Sequence, residues 1–335
     1  KFDTKNIDLD SFIKSKNFTL IEVWILSKLE SLINKVTLSL DSCRFNEGAK
    51  DLEEFIINSL SQTYVPMTRD DLWDDSVETL ERRNVIYAVL GYALYIIDIL
   101  LHSFSPFITN YLYLLCFKHK EEILLESWPQ SNPQFVNTEV ESTIDKSKQI
   151  VSLVNAARMK AKFKRRWPIN QVVICTEDRN ISESNELSEI LKKQLNTMSI
   201  NVKIVNFNNI LEKLKFLSGE KLITLTAKLR VNKVAPKLKN DLRNALQSFD
   251  QVDFNDLFTQ FVTKGNFDLE FLSGKIELST DDVEFSYAGR APYIMMESDP
   301  EKIVVFIDTT RSNELISMGL MKDIARNIQQ LRKER

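Results

Sequence analysis

Glycine and proline are scarce in these 335 residues, at 7 and 8, and cysteine and histidine are scarcer, at 3 and 2. So few glycines leave little material for a phosphate-cradling loop, and no such motif occurs. Cys43, Cys116 and Cys175 stand far apart, so no pair has metal-ligand spacing, and the odd, sparse count suits a reducing cytoplasm. His102 and His119 offer no workable Ser/His/Asp order and read as packing or surface residues. Asp70-Asp71 and Asp74-Asp75 fall in what reads as a polar loop, whereas general acid–base work needs a sequestered carboxyl. No catalytic, cofactor-binding or metal-binding residue is therefore expected. The chain begins at Lys1 without a signal-peptide pattern, which leads us to expect an internal fragment of a longer protein.

What is present describes a folded chain: 43% apolar and 27% charged residues exclude disorder. The net charge of −3 hides an asymmetry. Residues 1–150 hold 15 Lys and Arg against 23 Asp and Glu, while the remainder holds 29 against 24. Contact with a polyanion should lean on the second half or on local basic faces. Residues 85–101, VIYAVLGYALYIIDILL, approach the length of a membrane span, but Asp98 lies within the run. A charge there is costly in lipid, so a central helix of a bundle is expected and no membrane partner.

Apolar residues recur at helical spacing over 19–41, and a second helix opens at Asn46 or Glu47 and runs to Leu60. Pro66 is expected to break the periodicity. Further helices are expected from Val77 to His102, from Ser105-Pro106 to Phe117, and over 139–162, with SWPQSNPQ as a linker. After Trp167-Pro168 the period changes. QVVICT, NVKIVNF, KLITLTAKLRV, DDVEFSYA and KIVVFIDTT read as strands, EFLSGKIEL as a hairpin, and SNELSEILKKQLN, PKLKNDLRNALQSF, FNDLFTQFV and 312–334 as helices. The fold class expected is multidomain: an all-α helix bundle followed by a small mixed α+β domain. Its divisions are an N-terminal lead-in over 1–18, a bundle over 19–130, a junction helix and basic linker over 131–169, and the α+β domain over 170–335.

The segment RMKAKFKRRWP at 158–168 sets Arg158, Lys160, Lys162, Lys164, Arg165 and Arg166 among Phe163 and Trp167. Cations meet phosphates, and aromatic faces meet unstacked bases, so this run is a candidate nucleic-acid contact. The alternative is a solvated helix end whose dipole favours cations. Trp167 itself reads as a packing residue. A weaker set is Lys228, Arg230, Lys233, Lys237, Lys239 and Arg243, and the last helix carries Lys322, Arg326, Arg332, Lys333 and Arg335.

At these residues the sequence resembles a known family. WILSKLESLINKVTLSLD at 24–41, EEFIINSLSQTYV at 53–65, HSFSPFITNYLY at 102–113 and LLESWPQ at 124–130 resemble the anticodon-binding bundle of isoleucyl-, valyl- and leucyl-tRNA synthetases. IVSLVNAARMKAKFKRRWPI at 150–169, PKLKNDLRNALQSF at 236–249 and VVFIDTTRSNELISMGLMKDIARNIQQLRKE at 304–334 are similar to the C-terminal half of the isoleucyl enzymes of the archaeal and eukaryotic type. The resemblance implies a class I ligase that charges isoleucine-accepting tRNA using ATP and Mg, neither of which this chain would hold. Both signature motifs of class I catalysis are absent, so this chain alone should not activate isoleucine. It further implies tRNA as partner, contacted by Arg158, Lys160, Lys162, Lys164, Arg165 and Arg166 at phosphates and by Lys322, Arg326 and Arg332 near the anticodon loop. The N-terminal catalytic domain of the same enzyme would be a second partner, and the protein a cytoplasmic monomer. One departure stands out: PMTRDDLW at 66–73 keeps a single arginine, Arg69, where the family usually has several. A free-standing tRNA-binding paralogue and a helical interaction scaffold without RNA remain the alternatives.

Overall fold

The computed structural model describes residues 18–74, 76–117, 122–238, 241–272, 274–300 and 302–333. The expected lead-in, apart from Phe18, lies outside the described residues, as do Asp75, His119, Lys239 and Arg335. The chain divides into two compact units, Lys1–Ser147 and Lys148–Arg335. The division falls within one helix rather than at residues 130 and 169, where the composition shifts. Glu141 and Asp145 in that helix pair with Lys28, whereas Arg158 near its end bonds carbonyls of the second unit.

The first unit is helical. Helix α1 (Leu20–Asp41) buries Ile21, Trp24, Ile25, Leu29, Leu32 and Val36 on one stripe. Its start is fixed by Glu22, whose carboxylate accepts the Thr19 N–H at 3.0 Å in a capping box. Helix α2 (Phe45–Glu54) passes directly into a π-helical segment, Phe55–Tyr64. Its buried residues Phe55, Ser59, Leu60, Thr63 and Tyr64 follow the wider π period, and the Thr63 hydroxyl donates to the carbonyl five residues back, on Asn58, at 2.6 Å.

Helix α3 (Val65–Trp73) continues where a break was expected. Pro66 lies two residues past the π-helical segment, at the join with α3. Asp70 and Asp71 accordingly lie on a helix and not in a loop. Helix α4 (Leu80–His102) buries ten residues against α1, α2, α3 and helix α5 (Pro106–Cys116). It is the one described helix long and apolar enough to cross a membrane. The bundle is pinned through buried Glu22, which receives both terminal nitrogens of Arg82 at 2.6 and 3.0 Å and the Tyr64 hydroxyl at 3.2 Å. The tryptophan of SWPQSNPQ donates to Thr37 Oγ1 at 2.9 Å, fixing that segment on α1. Helix α6 (Thr138–Lys160) follows.

In the second unit β1 (Ile169–Thr176) leads through α7 (Arg179–Glu183) and α8 (Asn185–Leu195) to β2 (Thr197–Ile204), which pairs with β1 in parallel. Then come α9 (Ile210–Gly219), β3 (Ile223–Leu229), α10 (Val231–Leu238), α11 (Leu242–Phe249), α12 (Phe254–Lys264), β4 (Asn266–Phe271), β5 (Gly274–Ser279), β6 (Val283–Gly289), β7 (Tyr293–Ser298), β8 (Ile303–Asp308) and α13 (Asn313–Lys333). The main sheet has the order β2-β1-β8-β7, with β8 antiparallel to both of its neighbours. Pairs β3-β6 and β4-β5 are antiparallel two-stranded sheets.

Strand β3 alternates strictly, sending Ile223, Leu225, Ala227 and Leu229 inward. One cluster joins Val173, Cys175, Leu214, Val304 and Phe306, another joins Val234, Phe249, Phe261, Leu269 and Leu278, and Phe285 packs against both. The helix expected over 236–249 is two helices, with Pro236 inside the first.

Candidate nucleic-acid interface

Helix α6 ends at Lys160 in a turn that determines where the basic run points. Lys162 adopts a left-handed conformation (φ 57°) and its N–H donates to the Met159 carbonyl at 3.0 Å. The Phe163 N–H donates back to the Arg158 carbonyl at 2.8 Å. This is a helix stop usually built with glycine, here built with lysine. The chain reverses, and Lys164–Trp167 run back along the end of α6.

Arg158 holds that reversal. Its guanidinium donates to the carbonyls of Lys164 (3.2 Å), Trp167 (2.7 Å), Leu195 (2.6 Å) and Asn196 (3.1 Å). Leu195 and Asn196 close helix α8, whose negative dipole end favours a cation. Burial, reinforced by the charge of Arg165, pushes Arg158 down to about 10, so it stays protonated at neutral pH. Only 2% of the residue is exposed. Both terminal nitrogens of this buried guanidinium are thus engaged with backbone carbonyls, where the sequence led us to expect a phosphate contact.

Asp323 on α13 claims part of the remaining charge. It accepts the Trp167 indole N–H at 3.1 Å and pairs with Lys164 at 3.2 Å and Arg166 at 2.7 Å. The Trp167 hydrogen bond, followed by the two cations, holds its carboxyl below the usual aspartate range. Trp167 thus packs, as its position before Pro168 suggested, and its ring lies over Gly319 of α13.

Three members of the run stay open. Lys160, Lys162 and Arg165 are exposed, and among the described residues none has a carboxylate partner. Arg165 is oriented by the Asn155 amide at 3.1 Å. Lys322 joins them from α13, bonding the Asn196 amide oxygen at 2.6 Å, while Asn196 in turn donates to the Arg165 carbonyl at 3.2 Å. Asn196 therefore ties Lys322 and the Arg165 backbone into one frame. Arg326 and Arg332 are exposed farther along α13, the latter about 15 Å from Lys322 at 1.5 Å per residue.

The weaker basic set is more committed to acids. Lys237 meets both oxygens of Asp282 at 2.8 and 2.7 Å, Lys233 lies 3.7 Å from Asp281, and Lys228 stands opposite Glu284 across the β3-β6 ladder. Among the residues that sequence reasoning singled out in the first unit, His102 bonds the Thr109 hydroxyl at 2.8 Å and Asp71 pairs with Arg82 at 3.2 Å.

Exposed cations on a helix end held in place in this way are the kind of surface that attracts polyanions. Residues 22–174 match the model of the anticodon-binding domain of tRNA ligase. The chain's relatives make the assignment more particular. The chain is 26% identical over 338 residues to the isoleucine–tRNA ligase of Pyrococcus horikoshii, covering 99% of this chain and 29% of that protein. It is 24% identical over 344 residues to that of Methanosarcina barkeri, covering 99% and 30%, and 25% identical over 331 residues to that of Sulfolobus acidocaldarius, covering 98% and 29%. The chain is thus homologous to a part of isoleucine–tRNA ligase, and it spans about three tenths of the length of the curated relatives it matches.

Proposed function

We propose that this chain is the tRNA-gripping part of an isoleucine–tRNA ligase, holding folded isoleucine-accepting tRNA while the chemistry takes place on a catalytic domain elsewhere in the enzyme. The observation that carries this is the set of cations left open at the end of α6. Lys160, Lys162 and Arg165 face solvent without carboxylate partners among the described residues, on a turn made rigid by the four hydrogen bonds of Arg158. Phosphates supply the affinity of such a surface, and bases splayed from the anticodon loop supply the sequence information. ATP and Mg would belong to the catalytic domain, and the whole enzyme would act in the cytoplasm as a monomer.

The bare face of α5 supports attachment to further protein rather than a free-standing role. Phe107, Ile108, Tyr111 and Leu115 recur at helical spacing there and are all exposed. Two assays with the 335-residue chain test the proposal. In filter binding, an isoleucine-accepting tRNA transcript should be retained more tightly than a transcript with another anticodon. In isoleucine-dependent pyrophosphate exchange, the chain alone should be silent. Equal retention of both transcripts would remove the isoleucine assignment, and exchange activity would remove the division of labour.

A further inference from the structure

Arg311 lies between β8 and α13, outside every cationic group described above. Its guanidinium carbon is 4.4 Å from the centroid of the Phe163 ring and 5.2 Å from that of Trp167. Both distances fall within cation–π range. The residue is exposed, and among the described residues no carboxylate pairs with it. The rings beneath it are themselves fixed. Trp167 is held by Asp323 and lies over Gly319, and Phe163 is anchored by its N–H on the Arg158 carbonyl.

A surface arginine usually samples many rotamers. Here two aromatic rings hold the planar end group in one place, beside the turn that carries Lys162 and Lys164. Unstacked nucleobases stack on guanidinium planes and on aromatic faces, and every base offers a π-face, so such a platform is tolerant of sequence. Holding the platform in place before binding lowers the entropy cost of ordering it. Paired bases inside a duplex cannot reach it.

We propose that Arg311, seated on Phe163 and Trp167, is a stacking platform for one unpaired nucleobase of an RNA loop, with Lys162 and Arg165 taking the adjoining phosphates. This deepens the reading of the chain as an RNA-gripping module and rests on it. The lone arginine in TTRSNE gives no signal in the sequence, because its partners lie almost 150 residues earlier.

The test uses the full 335-residue chain with two RNA probes of equal length, a hairpin with an unpaired loop and a blunt duplex. Filter binding at low salt is measured for the parent, Arg311→Lys, Arg311→Ala and the double variant Lys162→Glu/Arg165→Glu. Arg311→Lys keeps the charge but loses the plane. It should weaken the hairpin about tenfold while leaving the duplex unchanged. The double variant should weaken both probes. Parent-like hairpin binding by both Arg311 variants overturns the platform while the RNA-binding reading stands. Failure of the parent to bind either probe overturns both.

A second measurement does not depend on the variants folding. A 4-thiouridine placed in the loop should crosslink the parent chain at Phe163, Trp167 or Arg311. Crosslinks confined to other residues overturn the platform.

Discussion

The indole of Trp167 lies so close to the backbone of Gly319 that a methyl group on that glycine would sit 2.6 Å from the ring. The contact joins the basic linker to α13 and leaves Asp323, one turn on, to receive the indole N–H. Gly319→Ala should destabilise the second unit by about 1–3 kcal/mol, because a ring fused into packing cannot move aside as a flexible chain end would. Thermal unfolding of the variant beside the parent checks this. An unchanged midpoint would show that the linker and α13 are not in contact.

Arg158 and its neighbours in the same run should behave in opposite ways. Arg158→Met strands four backbone carbonyls and should cost about 3–5 kcal/mol. Lys160→Ala and Arg165→Ala should stay within about 0.5 kcal/mol of the parent. Guanidinium denaturation of the three variants is the check. A tolerated Arg158→Met would mean that the clamp contributes nothing to the turn.

Lys162 separates stability from binding within one residue. Its left-handed backbone is a conformation that glycine adopts freely and lysine does not. Lys162→Gly should therefore leave the protein as stable as before or more so, by up to about 1 kcal/mol, while weakening tRNA binding through loss of a phosphate contact. A gain in affinity would contradict the role given to this lysine.

These contrasts show what the sequence could and could not reveal. The two-part architecture was legible, because helical period and strand alternation are written locally in segments such as 20–41 and 223–229. The basic run was legible as a run. Its internal division was not, because the partners that bury Arg158 and neutralise Lys164 and Arg166 come from α8 and α13, far along the chain. The π-helical segment reads as ordinary helix because Leu52, Ile56 and Leu60 recur at the ordinary spacing of four. Helix α9 was missed because its inward face includes Lys213, a residue that reads as solvent-facing until Glu297 and Tyr287 are seen beside it, at 3.0 and 2.7 Å. Strand β7 escaped because its residues are nearly all half-buried and lack alternation.

The bundle carries a pH dependence centred on Asp98. This aspartate is 6% exposed within α4, and burial pushes its carboxyl up to about 6. A group whose folded value is raised above its unfolded one adds stability below the unfolded value and loses it as pH rises through the folded value. Between pH 7 and about pH 4 the parent should therefore gain on the order of 2 kcal/mol relative to Asp98→Asn, which has no proton to take up. Urea titrations of both proteins at the two pH values measure the difference. Parallel pH profiles would mean that Asp98 is solvated in the folded protein.

The salt dependence of tRNA binding tests the central claim most directly. Each phosphate neutralised on folded RNA adds about 0.7–0.9 to the slope of log affinity against log salt. Replacing Lys160, Lys162 and Arg165 together by glutamine should lower that slope by about 2–3 and weaken binding at low salt, with the unfolding midpoint unchanged. A triple variant that keeps the parent slope and affinity would show that the tRNA does not lie on this surface.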